Sequence, residues 1–147
     1  MKPGKKKRVG ITGEIYMKCS KLGNDDIESF LLRQGMEPYS GGFVNYCLYL
    51  VDTERYKAEK YQHNPIMAKA CAFVLHRLCE AQKHLLTVIG ETDRFQTDLP
   101  FPELKEKVQG ILAEGCNTGD GWLIAAEVIQ YVEKGCGSVL ILHPFGC

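Results

Sequence analysis

Ser138-Val139-Leu140-Ile141-Leu142-His143 is an almost unbroken apolar run near the end of the chain. Its β-branched and aliphatic residues suit a strand. A continuous run, rather than an alternating one, predicts a strand buried on both faces of a parallel sheet. Parallel strands need long crossover connections, usually helical, and the preceding residues supply one. Trp122 to Lys134 reads as a helix closed by Gly135 and Gly137, with Asp120 of the turn Asn117-Thr118-Gly119-Asp120-Gly121 as its candidate cap. A helix leading into a buried strand is half of a crossover unit, so a second strand is expected elsewhere in the sequence.

The start of the chain provides it. Val9-Gly10-Ile11-Thr12-Gly13-Glu14-Ile15-Tyr16 follows a basic run and is rich in β-branched residues. A polar turn from Lys18 to Asn24 leads to a helix capped by Asn24 or Asp25. Ile27, Phe30 and Leu31 share one face of that helix, which runs to Gln34 and ends at Gly35. A short strand near Met36–Ser40 then completes a βαβ unit. After Gly41-Gly42, Phe43 to Tyr61 is helical, and Asn64-Pro65 restarts the helix with a capping Asn and a Pro whose missing N–H costs nothing there. Cys71, Val74, Leu78, Ala81, Leu85 and Val88 step at three and four residues and are expected to form a core stripe. A further helix is expected from Pro100 to Ala113, starting around Pro102 and stopped by Gly115.

The order βαβ, helices, αβ predicts a layered, Rossmann-like α/β fold: a short parallel sheet of about three strands, flanked by helices and helix-rich. At 147 residues, with no repeat and no low-complexity linker, residues 9–147 are expected to form a single α/β domain behind a basic flexible tail at 1–8.

Charge narrows the class of partner. Eighteen basic residues balance eighteen acidic ones, so no net field draws the chain toward nucleic acid or an anionic membrane. Five of the basic residues stand among Lys2, Lys5, Lys6, Lys7 and Arg8, a run read as a solvated terminus. No stretch approaches the ~20 apolar residues of a transmembrane helix. The seven cysteines are odd in number, contain no CxxC pair and follow no signal peptide, which points to a reducing, cytoplasmic setting.

Ligands of open parallel sheets bind outside the carboxyl ends of the strands. Three segments are expected there. One is Gly13-Glu14 with the following loop, which carries Lys18, Cys19, Ser20 and Lys21. The second is Gly41-Gly42, and the third is His143-Pro144-Phe145-Gly146-Cys147. The candidate ligand crevice is therefore Gly13, Glu14, Lys18, Ser20, His143 and Gly146. The Asn117–Trp122 turn is assigned instead to the strand-start side, apart from Cys147. It reads as a structural turn and cap rather than a phosphate cradle, since Asp120 would repel an anion. His76, Cys79, Glu80 and Lys83 share a helix face, but a semi-buried thiol and an i, i+4 pair explain them without a metal. Cys47, Cys71 and Cys136 read as small buried hydrophobes. Cys19 and Cys147 differ, because both lie at strand ends, and Lys18 and Lys21 would favour the thiolate of Cys19.

Four of these segments also carry a resemblance. Val9–Tyr16, Leu22-Gly23-Asn24, Gly119-Asp120-Gly121-Trp122-Leu123 and Pro144-Phe145-Gly146-Cys147, in this order, resemble a segment of the CoA-substrate-specific enzyme activase-related proteins of anaerobes, the 2-hydroxyacyl-CoA dehydratase activase type. The motifs are short, and their order and spacing give them their specificity. The resemblance implies iron–sulfur electron transfer, with acyl-CoA or a dehydratase-type subunit as partner. It also implies that Cys147, and with it Cys19, are metal ligands of an iron–sulfur cluster that is incomplete within this chain. The chain lacks the phosphate-binding motifs of that family's ATPase region. The family pattern continues past the last cysteine with Leu-Pro-Asn-His, so the resemblance implies further domains in a longer parent. Two other readings stay open: a CoA or nucleotide-binding module, and a structural or docking domain without chemistry of its own.

Overall fold

A computed structural model describes residues 6–92 and 96–146. Cys147 and the first five residues of the expected basic tail lie outside the described residues. The elements in chain order are β1 (Arg8–Gly13), α1 (Ile15–Cys19), α2 (Ile27–Arg33), β2 (Glu37–Ser40), α3 (Phe43–Lys60), α4 (Pro65–Gly90), α5 (Phe101–Glu106), α6 (Gly121–Glu133) and β3 (Ser138–Leu142). They divide into two compact units. One runs to Gly41 and resumes at Thr118, so it holds every strand; the other is Gly42–Asn117 and is helical.

The strand unit is the predicted α/β layer. Its sheet has three parallel strands in the order β2-β1-β3. The register runs from Arg8 opposite Glu37 to Ile11 opposite Ser40, and from Val9 opposite Ser138 to Gly13 opposite Leu142. Side chains alternate across a strand, so β1 presents two different faces. Val9 and Ile11 pack with Leu31 and Ile27 of α2, with Met36, and with Leu140 and Leu142 of β3. Gly10 and Thr12 face α6 instead. A Cβ on Gly10 would lie 2.5 Å from Cδ2 of Tyr131, so only glycine lets that ring close on the sheet. Tyr131 is fully buried and meets Tyr39 edge-on, with ring centroids 5.2 Å apart.

Several boundaries differ from the sequence reading for local reasons. β1 stops at Gly13 because Gly13 takes φ +136° and the Glu14 side chain then caps α1 by accepting from Met17 N at 3.0 Å. Asp26 rather than Asn24 or Asp25 precedes α2. Asn24 Oδ1 still accepts from Ile27 N at 3.4 Å. α5 is shorter than expected, ending at Glu106 where turns take over. β3 is an edge strand and not one buried on both faces: Ser138 and Ile141 are exposed, Ile141 at 54%. A short sheet has two edges, and a uniformly apolar run does not reveal which strands occupy them.

In the helical unit, α3 and α4 pack against each other. Asn64 accepts from Met67 N at 3.1 Å, so the capping Asn and Pro65 start α4 as the sequence predicts. The expected core stripe is displaced. Val74, Leu78, Leu85 and Val88 are 45%, 40%, 47% and 62% exposed, and Ala81 is exposed too. The sheltered face carries Cys71, Leu75, Cys79, Gln82, Leu86 and Ile89, and only Cys71 is common to both stripes. Two apolar stripes lie side by side on α4, and the polar Gln82 decides between them because it has buried partners. Gln82 Nε2 donates to Asn45 Oδ1 at 2.6 Å, and Phe101 N donates to Gln82 Oε1 at 2.9 Å. Gln82→Ala strands a buried amide N–H and a buried carboxamide, each costing about 1–3 kcal/mol. A loss of about 2–4 kcal/mol in urea unfolding is expected, well beyond that of an exposed change such as Lys83→Ala.

Candidate functional site at the strand carboxyl ends

The carboxyl ends of the three strands gather residues from five segments of the strand unit. At their centre, Lys18 of α1 and Glu127 of α6 form an ion pair whose side chains are each 5% exposed. Lys18 Nζ donates to Glu127 Oε1 at 2.8 Å and to Oε2 at 3.0 Å, and Thr12 Oγ1 donates to Oε2. Gly41, just past β2, closes over the group. Its N–H donates to Tyr131 Oη at 2.7 Å, and a Cβ there would come within 3.1 Å of Glu127 Oε1. Buried charges persist where they are paired and hydrogen-bonded, and Glu127 satisfies both conditions.

Asp120 lies beside this group. It begins α6 at φ 63°, but its side chain makes no capping bond; Oδ2 instead accepts from Ile15 N at 3.3 Å. The start of α6 therefore sits at the carboxyl end of the sheet, and its assignment to the strand-start side is corrected. A crossover helix runs antiparallel to the strand it feeds, so its last turn, not its first, meets the start of that strand. Burial pushes the Asp120 carboxyl above the ordinary carboxylate range. The Ile15 N–H opposes this, Glu14 and Glu127 add to it, and His143 opposes it. The folded state thus holds this proton more tightly than the unfolded chain does. Stability from this group is full below about pH 4 and falls as pH rises toward the raised value. Asp120→Asn keeps an acceptor for Ile15 N–H and tolerates the left-handed backbone. It is expected to raise the urea midpoint at about pH 7 and to leave it unchanged at about pH 3.5. Equal effects at both would show that charge is not what destabilises the site.

Each residue expected in the crevice has a definite place. Gly13 is closed over by β3: a Cβ would stand 2.0 Å from Leu142 O. Glu14 caps α1, and its N–H donates to Leu142 O at 2.9 Å. Lys18 is engaged by Glu127 instead of standing free for a ligand. Ser20 Oγ accepts from Gly23 N at 3.2 Å, and Asn24 Nδ2 donates to the carbonyls of Met17 and Lys18 at 2.9 and 3.3 Å, so the Leu22-Gly23-Asn24 motif braces the end of α1. Cys19, His143 and Gly146 are exposed. Thr12, Glu127 and Tyr131 did not emerge from the sequence reading. One signal was present for Glu127: a lone acid amid Leu123, Ala126, Gln130 and Tyr131, on the buried face of α6, requires a buried partner.

All four motifs of the sequence resemblance fall in the strand unit, and the Gly42–Asn117 unit carries none. Searches against protein families, curated proteins and solved structures found no match to this chain.

An iron–sulfur cluster takes about four thiolate-type ligands. In the strand unit the described cysteines are Cys19, exposed at the end of α1, and Cys136, buried beyond the last turn of α6 with its thiol pushed up by burial. Cys147 lies outside the described residues. Among the described residues no three His, Cys, Asp or Glu side chains are grouped to hold a metal. The Cys79 thiol, in the helical unit, is likewise pushed up by burial, with Asp52 and Glu80 adding to it.

Proposed function

We propose that the strand unit belongs to a cytoplasmic protein related to the 2-hydroxyacyl-CoA dehydratase activases and takes part there in iron–sulfur electron transfer. One observation carries the reading. Motifs separated by about a hundred residues in sequence meet at one end of the sheet, joined by the Ile15 to Asp120 hydrogen bond across 105 positions. Segments that resemble one family and also assemble in space are more telling than short motifs scattered over a surface. In this reading the Lys18–Glu127–Thr12 group is structural. It locks α1 onto α6 and so fixes the exposed Cys19 at the end of the sheet. Cys19 then offers one thiolate, with the remaining ligands from Cys147 and from a dehydratase-type subunit. The paired state of Lys18, beside Glu14 and Asp120, leaves this end poor in positive charge, which disfavours a nucleotide phosphate here.

The test is anaerobic incubation of the chain together with a 2-hydroxyacyl-CoA dehydratase subunit, ferrous iron and sulfide, followed by iron analysis and visible absorption of the complex against the subunit alone. Sulfide-dependent iron that is lost in Cys19→Ser and Cys147→Ser, and kept in Cys136→Ser, is expected. No bound iron, or iron indifferent to Cys19, would overturn the reading.

A further inference from the structure

The opposite end of the sheet has its own chemistry. Lys6, Lys7 and Arg8 lead into β1, and Lys134 follows α6 directly. These four residues, with Gly135 and Ser138, line a hollow of about 610 Å³ at the amino ends of the strands. That volume lies within the ~300–1,000 Å³ of small-molecule sites. Arg8 is countered by Glu37 at 3.3 Å, and Lys134 Nζ lies 2.8 Å from Tyr39 Oη and 5.3 Å from the centre of that ring. Among the described residues no ion pair holds Lys6 or Lys7, and both are exposed. Arg8 and Lys134 both favour the thiolate of the buried Cys136, which sits between the lining residues Gly135 and Gly137, and Glu37 opposes them there.

One part of this arrangement has a structural explanation. A cation after the last turn of α6 complements the helix dipole, which accounts for Lys134. It does not account for Lys6 and Lys7, which extend the same positive wall from a different segment. Like charges around a concavity repel one another unless an anion joins them, and a concave, low-dielectric wall concentrates their field. The Ser138 hydroxyl adds a neutral donor on the same wall. We propose that this hollow binds a phosphate ester, a phosphomonoester or diphosphate group of a small molecule, with Lys6, Lys7, Arg8 and Lys134 as its cationic ligands. The proposal does not rest on the reading of the strand carboxyl ends, and either can fail without the other.

Titration of the chain with inorganic pyrophosphate by calorimetry tests it, at low and at moderate salt. Saturable one-to-one binding that weakens with salt is expected. The double variant Lys6→Glu/Lys7→Glu, which alters only exposed side chains, should weaken it at least about tenfold. Lys69→Glu, an exposed change in the helical unit, should leave it intact. Two further arms separate the sources of phosphate. Vesicles of phosphatidylcholine with phosphatidylglycerol report a lipid headgroup, and a single-stranded oligonucleotide reports a polyanion. Absence of pyrophosphate binding, binding indifferent to the double variant, or binding only to vesicles or only to the oligonucleotide would each overturn the proposal.

Discussion

Glu127→Ala is expected to destabilise the chain by about 3–5 kcal/mol, because it leaves the Lys18 ammonium buried without its counter-ion. The loss comes from an orphaned charge more than from a missing attraction. Both side chains are 5% exposed, so water cannot replace the carboxylate, and Thr12 loses its acceptor as well. Lys18→Met should be costly for the converse reason, since Glu127 would keep only the Thr12 hydroxyl. The double variant Lys18→Met/Glu127→Leu removes both charges and fills the space with apolar atoms. Buried pairs replaced in this way are often neutral in stability, so the double variant should be more stable than either single one. Urea unfolding of the four proteins gives the cycle. Additive losses would mean that the two side chains do not depend on each other, and the structural role assigned to the pair would be lost.

The ion pair also shows what the sequence could and could not disclose. The fold class was legible because each of its signals is local. Asn64-Pro65 starts α4, Gly35 ends the helix before β2, and β-branched runs mark β1 and β3. The Lys18–Glu127 pair spans 109 positions and leaves no local trace beyond an acid in an apolar stripe. α4 illustrates a different limit. Periodicity identified it as a helix, yet two apolar stripes were equally good, and only the long-range partners of Gln82 determine which one turns inward. The turn that carries Asp120 lies at the strand carboxyl ends and not at the strand starts expected from the sequence. A crossover helix runs antiparallel to the strand it feeds, so the topology places the first turn of α6 there. The division at Gly41 and Thr118 left no compositional mark, since the junctions Gly41-Gly42 and Asn117-Thr118-Gly119 read as ordinary turns.

Gly13→Ala is expected to be the most damaging single methyl group in the strand unit, with a loss of about 3–5 kcal/mol from two sources that add. The first is conformational: φ +136° lies outside the regions open to L-residues with a Cβ. The second is steric and falls on backbone, which cannot rotate away. The new Cβ would stand 2.0 Å from Leu142 O and 2.6 Å from Leu142 N. Relief requires β3 to move from β1 at its carboxyl end, which breaks the 2.9 Å bond from Glu14 N to Leu142 O and shifts the segment carrying His143 and Gly146. Gly35→Ala separates the two terms. Gly35 also has a positive φ, of 75°, but nothing lies within 4 Å of its missing Cβ. It should cost about 1 kcal/mol, the left-handed penalty alone. Equal losses in the two variants would show that strain dominates and that the close approach of β3 at Gly13 is unimportant. A loss several times larger at Gly13, with faster amide exchange at Glu14, would show that this glycine holds β3 against β1 where the candidate site begins.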